Sequence, residues 1–396
     1  MKTKVLVLLC LIAQMSCKRT VLVDKGNIPT IAIENFEQDI SNKLSDICVP
    51  VDIISLETSE KSIIQHIDKI IITEEEVFIL DTYGAKSILV FSKKGEFKYK
   101  IGKAGRGPGE YETPLDFDIS NDEIQVLSYN KVVVYNLNGE YRRQYYLNFL
   151  AQNISNISHN VNAFYGSSFD DRIVVTNEWG KKEFSYYRYS QRNRIATPWH
   201  IEKLDSITLF NIPICDTIYK VSNSSVSPYC YIDFGEYSFQ NEDYSSLPKN
   251  LQMNVVDYIL SEKQYAIKYY YSETDSFIIL SFGYNGNHIC KILSKDLHAS
   301  ISYSVLKCDD DIWHSNSFLL PSCTLDDNKV VFIQEYPSKV ISGYDFLKKK
   351  SESEKLSSIE RQAYESLNEI HSSIDDLSNP ILFIAKLTHE NLERYD

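Results

Sequence analysis

Residues 80–117 read LDTYGAKSILVFSKKGEFKYKIGKAGRGPGEYETPLDF. Two features decide what this stretch does. Residues 87–91 (SILVF) are rich in β-branched and aromatic side chains, which suit a half-buried pleated surface. Residues 96–101 (EFKYKI) alternate polar and apolar with period two, as a strand with one wet face does. Lys94-Gly95 supplies the turn between them. After Ile101 come Gly102, Gly105, Gly107, Pro108 and Gly109, so the backbone can take positive φ several times in one short crossing. Apolar alternation then resumes at Leu115, Phe117 and Ile119.

The pattern repeats downstream at 124–127, 132–135, the turn Asn138-Gly139-Glu140, and 141–147. A period of roughly 35–50 residues carrying about four short strands is the sign of a propeller blade.

Several segments resemble the six-bladed β-propeller lipoproteins of Bacteroides-type bacteria, related in architecture to NHL-repeat propellers. They are VFSKKGEF at 90–97, IGKAGRGPGEY at 101–111, PLDF at 114–117, CDTIY at 215–219, YIDFG at 231–235 and SNPIL at 378–382. Together they span nearly the whole chain beyond its first residues, and the Gly-rich run is the most specific. The resemblance implies a fold and a compartment, the cell envelope. It implies no catalytic residues, since that family is mostly uncharacterised.

The chain's 396 residues leave room for one such ring of about 300 residues plus additions. Twenty-eight tyrosines against three methionines fit an aromatic-rich β protein better than a helical bundle. A net charge of −13 argues against nucleic acid as a partner, because phosphate binding needs a basic surface.

The N-terminus reads as a targeting segment. Lys2 and Lys4 give positive charge, residues 5–13 form an apolar run too short to span a bilayer, and Gln14-Met15-Ser16-Cys17 closes it. A small residue directly before Cys resembles a lipoprotein processing site, although Gln14 stands where such sites carry Leu, Val or Ile. Residues 1–16 are thus expected to be a signal peptide and Cys17 the acylated residue, anchoring the protein to a membrane of the envelope. Plain secretion is the alternative. Residues 17–45 are polar and weakly patterned and read as a tether; residues 46–396 form the propeller.

Blade one is expected over 67–101 and blade two over 116–147. Blade three takes 161–165, 172–176, 184–189 and 195–201; blade four takes 209–214, 217–221 and 229–234. Blade five takes 255–260, 265–271, 277–282 and 288–293, and blade six begins near 317–321 and continues with 329–334. Residues 344–377 break the β pattern, with Leu347, Ile359, Ala363, Leu367, Ile370 and Ile374 on one helical face. Asn379-Pro380 stops that helix. Residues 381–387 return to strand. Open edge strands invite aggregation, so this last strand should pair with 49–56 and close the ring from both termini. The fold class is all-β, a six-bladed propeller with a short helical insertion (about 344–378) in its last blade.

No constellation names a reaction, and no cofactor is implied. The glycine run 102–109 lacks the GK[ST] ending of a P-loop and the GxGxxG spacing, and the carboxylates Glu110 and Glu112 would repel phosphate. Asp309-Asp310-Asp311 with His314 lacks EF-hand spacing and reads as an acidic turn rather than a metal site. No HExxH pairing and no GxSxG elbow occurs. Calcium-dependent lactonases also use propellers, but no such inner-strand pattern can be picked out here. Beyond Cys10 and Cys17, six cysteines remain (Cys48, Cys215, Cys230, Cys290, Cys308, Cys323). Buried free thiols compete with up to three disulfides, of which Cys215–Cys230 would be the first.

Crossings between blades open onto the central funnel, which makes Arg106, Glu110 and Tyr111 candidate rim residues. Inter-strand loops add Tyr83, Lys86, Tyr129, Asn130, Trp179, Lys181, Glu273 and Asp275. Sugars favour this mixture, since aromatic rings stack on C–H faces while polar groups set orientation. Three functional classes follow. The first is a lipid-anchored binding or scaffolding propeller taking a glycan or peptide. The second is a propeller enzyme of lyase or lactonase type. The third is a sensor or assembly partner that docks another envelope protein through the helical insertion.

Overall fold

The computed structural model describes residues 28–33, 40–41, 43–158, 160–166, 171–186, 200–204, 207–212, 215–239, 265–297, 299–315 and 319–388. They build six antiparallel sheets arranged as the blades of a propeller. Blade one is Lys69–Ile72, Glu76–Asp81, Ser87–Ser92 and Phe97–Ile101; blade two is Asp116–Ser120, Glu123–Ser128, Lys131–Asn136 and Tyr141–Tyr146. Both match their expected spans. Each blade's first strand lies next to the first strand of a neighbouring blade, so first strands face the axis and fourth strands form the outer wall.

Continuous apolar runs such as 77–80 and 88–91 in the middle strands make both faces of a blade apolar, and six hydrophobic clusters fill the six junctions between blades. Phe78 and Val90 of blade one meet Phe117 and Val133 of blade two, and Tyr165 of blade three meets Phe210 of blade four. The ring closes as expected. Ile381–Leu387 pairs antiparallel with Cys48–Ser55, with Phe383 opposite Ile53, so the two ends of the ring share blade six.

The outer wall is locked by a repeated turn. Gly95, between the third and fourth strands of blade one, has φ +85°, and an added Cβ would lie 1.9 Å from the Ser55 carbonyl oxygen of blade six. Glu57 N–H donates to the Gly95 carbonyl at 2.7 Å. Only glycine satisfies both the backbone angle and the close approach. Corresponding turns recur at Gly139, against Tyr99 of blade one, and at Gly180, against Tyr145 of blade two.

Blade three departs from expectation by one strand. Its first strand is Ala151–Ser158 (AQNISNIS), followed by Val161–Gly166, Ile173–Asn177 and Lys182–Tyr186; Ile201–Leu204 opens blade four instead. The first strand was illegible because it is polar. Its backbone pairs with Val161–Gly166 and is also held from outside the blade: Ile154 N–H donates to Asp116 Oδ2 at 2.8 Å and Asn156 N–H to Asp118 Oδ2 at 2.6 Å. Blade five is displaced likewise, running Ile267–Glu273, Phe277–Tyr284, Asn287–Ser294 and Ser300–Ser304. The expected strand at 255–260 lies outside the described residues.

The expected tether is structured wherever it is described. Thr30–Ala32 adds in parallel to the outer strand of blade four, and Ile40–Ser41 to that of blade five. Ile31 and Ile33 are buried in the junction of blades four and five. Ser45 N–H and Oγ donate to Asp311 at 2.9 and 2.6 Å, which explains that acidic turn. Asp310 caps the turn after it, accepting from Trp313 N–H at 2.9 Å and Ser315 N–H at 2.8 Å.

The insertion between the second and third strands of blade six holds two helices, α1 (Pro337–Ser353) and α2 (Ser358–Ile370). It starts earlier than expected because proline is tolerated in a helix's first turn. It breaks before Ser357, whose side chain and that of Glu360 form a reciprocal capping box. Ala363 and Leu367 of α2 are buried, and α2 packs on Cys48–Ser55, the outer strand of blade six. None of the described helices is long and apolar enough to cross a membrane.

Candidate ligand-binding face and charged axis

In each blade the chain enters the first strand from the same end of the ring. Crossings and second-to-third-strand turns therefore share one end, while first-to-second and third-to-fourth turns share the other. Tyr83 and Lys86 occupy the second-to-third turn of blade one, and Tyr129 and Asn130 that of blade two, so these four lie at the crossing end. Tyr83 is 74 % exposed and Tyr129 45 %, with positive φ at Lys86 and Tyr129. Arg106 stands on the crossing, exposed and paired with Glu112 at 2.6 Å.

Glu110 and Tyr111 make their contacts within the protein. Tyr111 is fully buried between blades one and two, its hydroxyl donating to the Ile101 carbonyl at 2.5 Å. Burial pushes that phenol up to about 12. Glu110 is spent on its own loop, accepting from Gly107 N–H at 2.8 Å and pairing with Lys103 at 3.1 Å, and these contacts lower its pKa. Both hold the crossing in shape. An aromatic at a loop's end reads the same from sequence whether it packs or protrudes.

Trp179 and Lys181 lie on the third-to-fourth turn of blade three, where Trp179 corresponds to Lys94 and Asn138 of blades one and two. The missed strand 151–158 inverted that assignment. The indole sits near Arg143, whose guanidinium carbon is 5.8 Å from the ring centre. Glu273 ends the first strand of blade five and Asp275 follows it, also at the far end. There Glu273 pairs with Lys295 at 2.9 Å. The Cys215–Cys230 bridge does not form: all six described cysteines are free.

Two groups of polar residues escaped the sequence reading. At the junction of blades six and one, His66 Nδ1 lies 2.6 Å from Glu335 Oε1, and Asp68 Oδ2 accepts from Thr82 N–H at 2.7 Å beside Tyr83. Tyr336, next to Glu335, is 59 % exposed.

The second group lines the axis. Lys69 of blade one donates to Asp116 of blade two at 2.7 Å and to the Phe117 carbonyl at 2.7 Å. Lys203 of blade four reaches Asp118 of blade two at 2.9 Å and the Ile119 carbonyl at 3.2 Å. Blades two and four are not neighbours, so this pair spans the inner face of blade three. Ser272 Oγ of blade five donates to Glu202 Oε1 of blade four at 2.5 Å and lies 3.3 Å from Thr324 Oγ1 of blade six. Burial pushes the Glu202 carboxyl up to about 7, opposed by the Ser272 hydrogen bond and the charge of Lys69, and reinforced by Glu273. Burial also raises Asp116 in spite of its lysine. These residues come one or two at a time from the inner strands of blades one, two and four to six, which is why no motif announces them.

A ring of six sheets closed through its termini, with exposed aromatics at one end and a charged axis, defines a six-bladed β-propeller with an elaborated last blade. The chain belongs to the family of the domain of unknown function DUF4934, whose model matches residues 28–386. Among solved structures it is similar to a Bacteroides fragilis protein described as an exported-protein candidate. That match has 18 % identity and a TM-score of 0.72, covering 91 % of this chain and 99 % of the other. At that identity the likeness shows the fold alone. A protein of unknown function from Bacteroides caccae aligns with 10 % identity and a TM-score of 0.40, over 60 % of this chain and 81 % of the other, and is too distant to inform the reading. No curated protein matches the chain.

Proposed function

We propose that this protein is a lipid-anchored propeller of the cell envelope that binds a glycan or peptide at the crossing end of its ring. The observation that carries the reading is the pair Tyr83 and Tyr129, exposed on corresponding turns of adjacent blades at that end, with Lys86, Asn130 and Arg106 on the same side. Exposed phenol rings offer stacking surface, and the polar neighbours offer orienting hydrogen bonds. The helical insertion spends much of its apolar face on blade six, which favours a cap there over a docking device. Anchoring rests on the leader's charge, apolar run and Ser16-Cys17.

The test is a glycan and peptide array probed with wild-type protein and with Tyr83→Ala/Tyr129→Ala. The double variant should bind about tenfold more weakly, at roughly 0.5–1.5 kcal/mol per lost aromatic contact. Equal binding by both proteins, or no retained ligand at all, removes the reading. Metabolic labelling with an alkyne fatty acid tests the anchor separately: Cys17→Ala should abolish the label.

A further inference from the structure

Each of the two axial aspartates is completed in the same way. Asp116 and Asp118 each receive a lysine ammonium from another blade's inner strand, and each ammonium is also held by the next backbone carbonyl, that of Phe117 or Ile119. The axis thus already contains two ammonium sites built from carboxylate and carbonyl oxygens.

Glu202 is the third axial carboxylate. Its hydrogen bond from Ser272 is neutral, and no lysine, arginine or histidine nitrogen among the described residues lies in ion-pair range of it. Lys69 is close enough to act on its charge but is committed to Asp116. The other titratable groups around Glu202 are Glu273, Tyr270 and Cys323, none of which supplies positive charge. Asp116 and Asp118 each have a lysine partner, whereas Glu202, a half-buried side chain with hydroxyls at Ser272 and Thr324 beside it, has no direct counter-ion among the described residues. Deprotonating a carboxyl in such surroundings is costly unless a cation joins it. The net charge of −13 favours the approach of cations over anions.

We propose that the axial cluster binds a primary ammonium group, such as a lysine side chain or a peptide amino terminus, with the Glu202 carboxylate as its counter-charge and the Ser272 and Thr324 hydroxyls beside it. A primary ammonium has three donors and no acceptor, which suits one carboxylate oxygen with neighbouring hydroxyls. This site is separate from the rim tyrosines, and neither reading depends on the other.

The experiment is calorimetric titration of the purified full-length chain with n-butylammonium chloride, with n-butanol and potassium chloride as controls. The expected result is one butylammonium bound per chain, with neither control binding. Glu202→Gln should weaken binding by about tenfold or more, the loss expected for one charge-assisted hydrogen bond. Ser272→Ala, which leaves the charge, should weaken it less. Wild-type affinity should also fall as pH drops from 8 to 5, because the carboxyl takes up a proton while the amine stays charged. The proposal is overturned if butylammonium does not bind, if Glu202→Gln binds it equally well, or if butanol or potassium binds as well as the amine. Should Glu202→Gln fail to fold, a pH-independent wild-type affinity overturns it by itself.

Discussion

Blades one to three and blades four to six use one architecture but guard their edges differently. The outer strands of blades one to three, Phe97–Ile101, Tyr141–Tyr146 and Lys182–Tyr186, have no further strand beside them among the described residues. They carry Lys98, Lys100, Arg142, Arg143 and Lys182, and charge on an edge opposes strand addition. The outer strands of blades four and five are covered by Thr30–Ala32 and Ile40–Ser41, and that of blade six by α2. One half of the ring is protected by its own surface, the other by added chain. The second solution ties distant parts of the sequence into one core: Trp313 stacks on Phe383 at 4.5 Å within a cluster that also contains Leu44, Phe332, Ala363 and Leu367.

The largest effect should come from breaking that shared core. Trp313→Ala should cost about 3–5 kcal/mol in urea unfolding. Its loss of hydrogen-exchange protection should extend to 44–47 and to α2. Phe117→Ala, also fully buried, should cost a similar amount but disturb only blades one and two. Equally wide disturbance in both variants would erase the distinction between the halves.

A smaller pair of changes sharpens it. Gly95 in the bare half and Gly286 in the covered half both have positive φ, but a Cβ at Gly286 would meet nothing within 4 Å. Gly286→Ala should therefore cost only the backbone term, about 1 kcal/mol, and Gly95→Ala about 2–3 kcal/mol because it also displaces the blade six carbonyl. Equal costs would mean that the glycine lock does not hold the outer wall.

The smallest effect concerns pH. His200, on the crossing into blade four, is fully buried, stacks on Tyr165 at 3.8 Å, and is pushed by burial down to about 3. Its unfolded form binds the proton first, so stability from this group is present above its ordinary value near 6.5 and is lost as pH falls from there toward 3. His200→Phe should flatten the melting temperature between pH 7 and 5, and an unchanged acid slope would show that another group controls it.

Legibility cut across that division. Blades one and two alternate cleanly and turn on Gly95 and Gly139, so their spans could be read directly. Ala151–Ser158 could not, because it is polar, and its Ile154 and Asn156 N–H groups are satisfied by the carboxylates of Asp116 and Asp118 on another blade. The consequence went beyond one strand. Successive strands run in opposite directions, so one uncounted strand moves every later turn of that blade to the other end of the ring. That sent Trp179 and Lys181 to the wrong face, and the shift in blade five did the same for Glu273 and Asp275.

The sequence by itself determined the ring, its number of blades, the helical insertion and the closing pair of 381–387 with 49–56. Hydrophobic period and turn chemistry are local quantities written along the chain. Only the tertiary structure decided that Tyr111 is buried while Tyr83 protrudes, that Thr30–Ala32 and Ile40–Ser41 brace two blades, and that Lys69, Asp116 and Glu202 meet around one axis. Period two says which side chains share a face of a strand, but what that face touches depends on where folding brings the other blades.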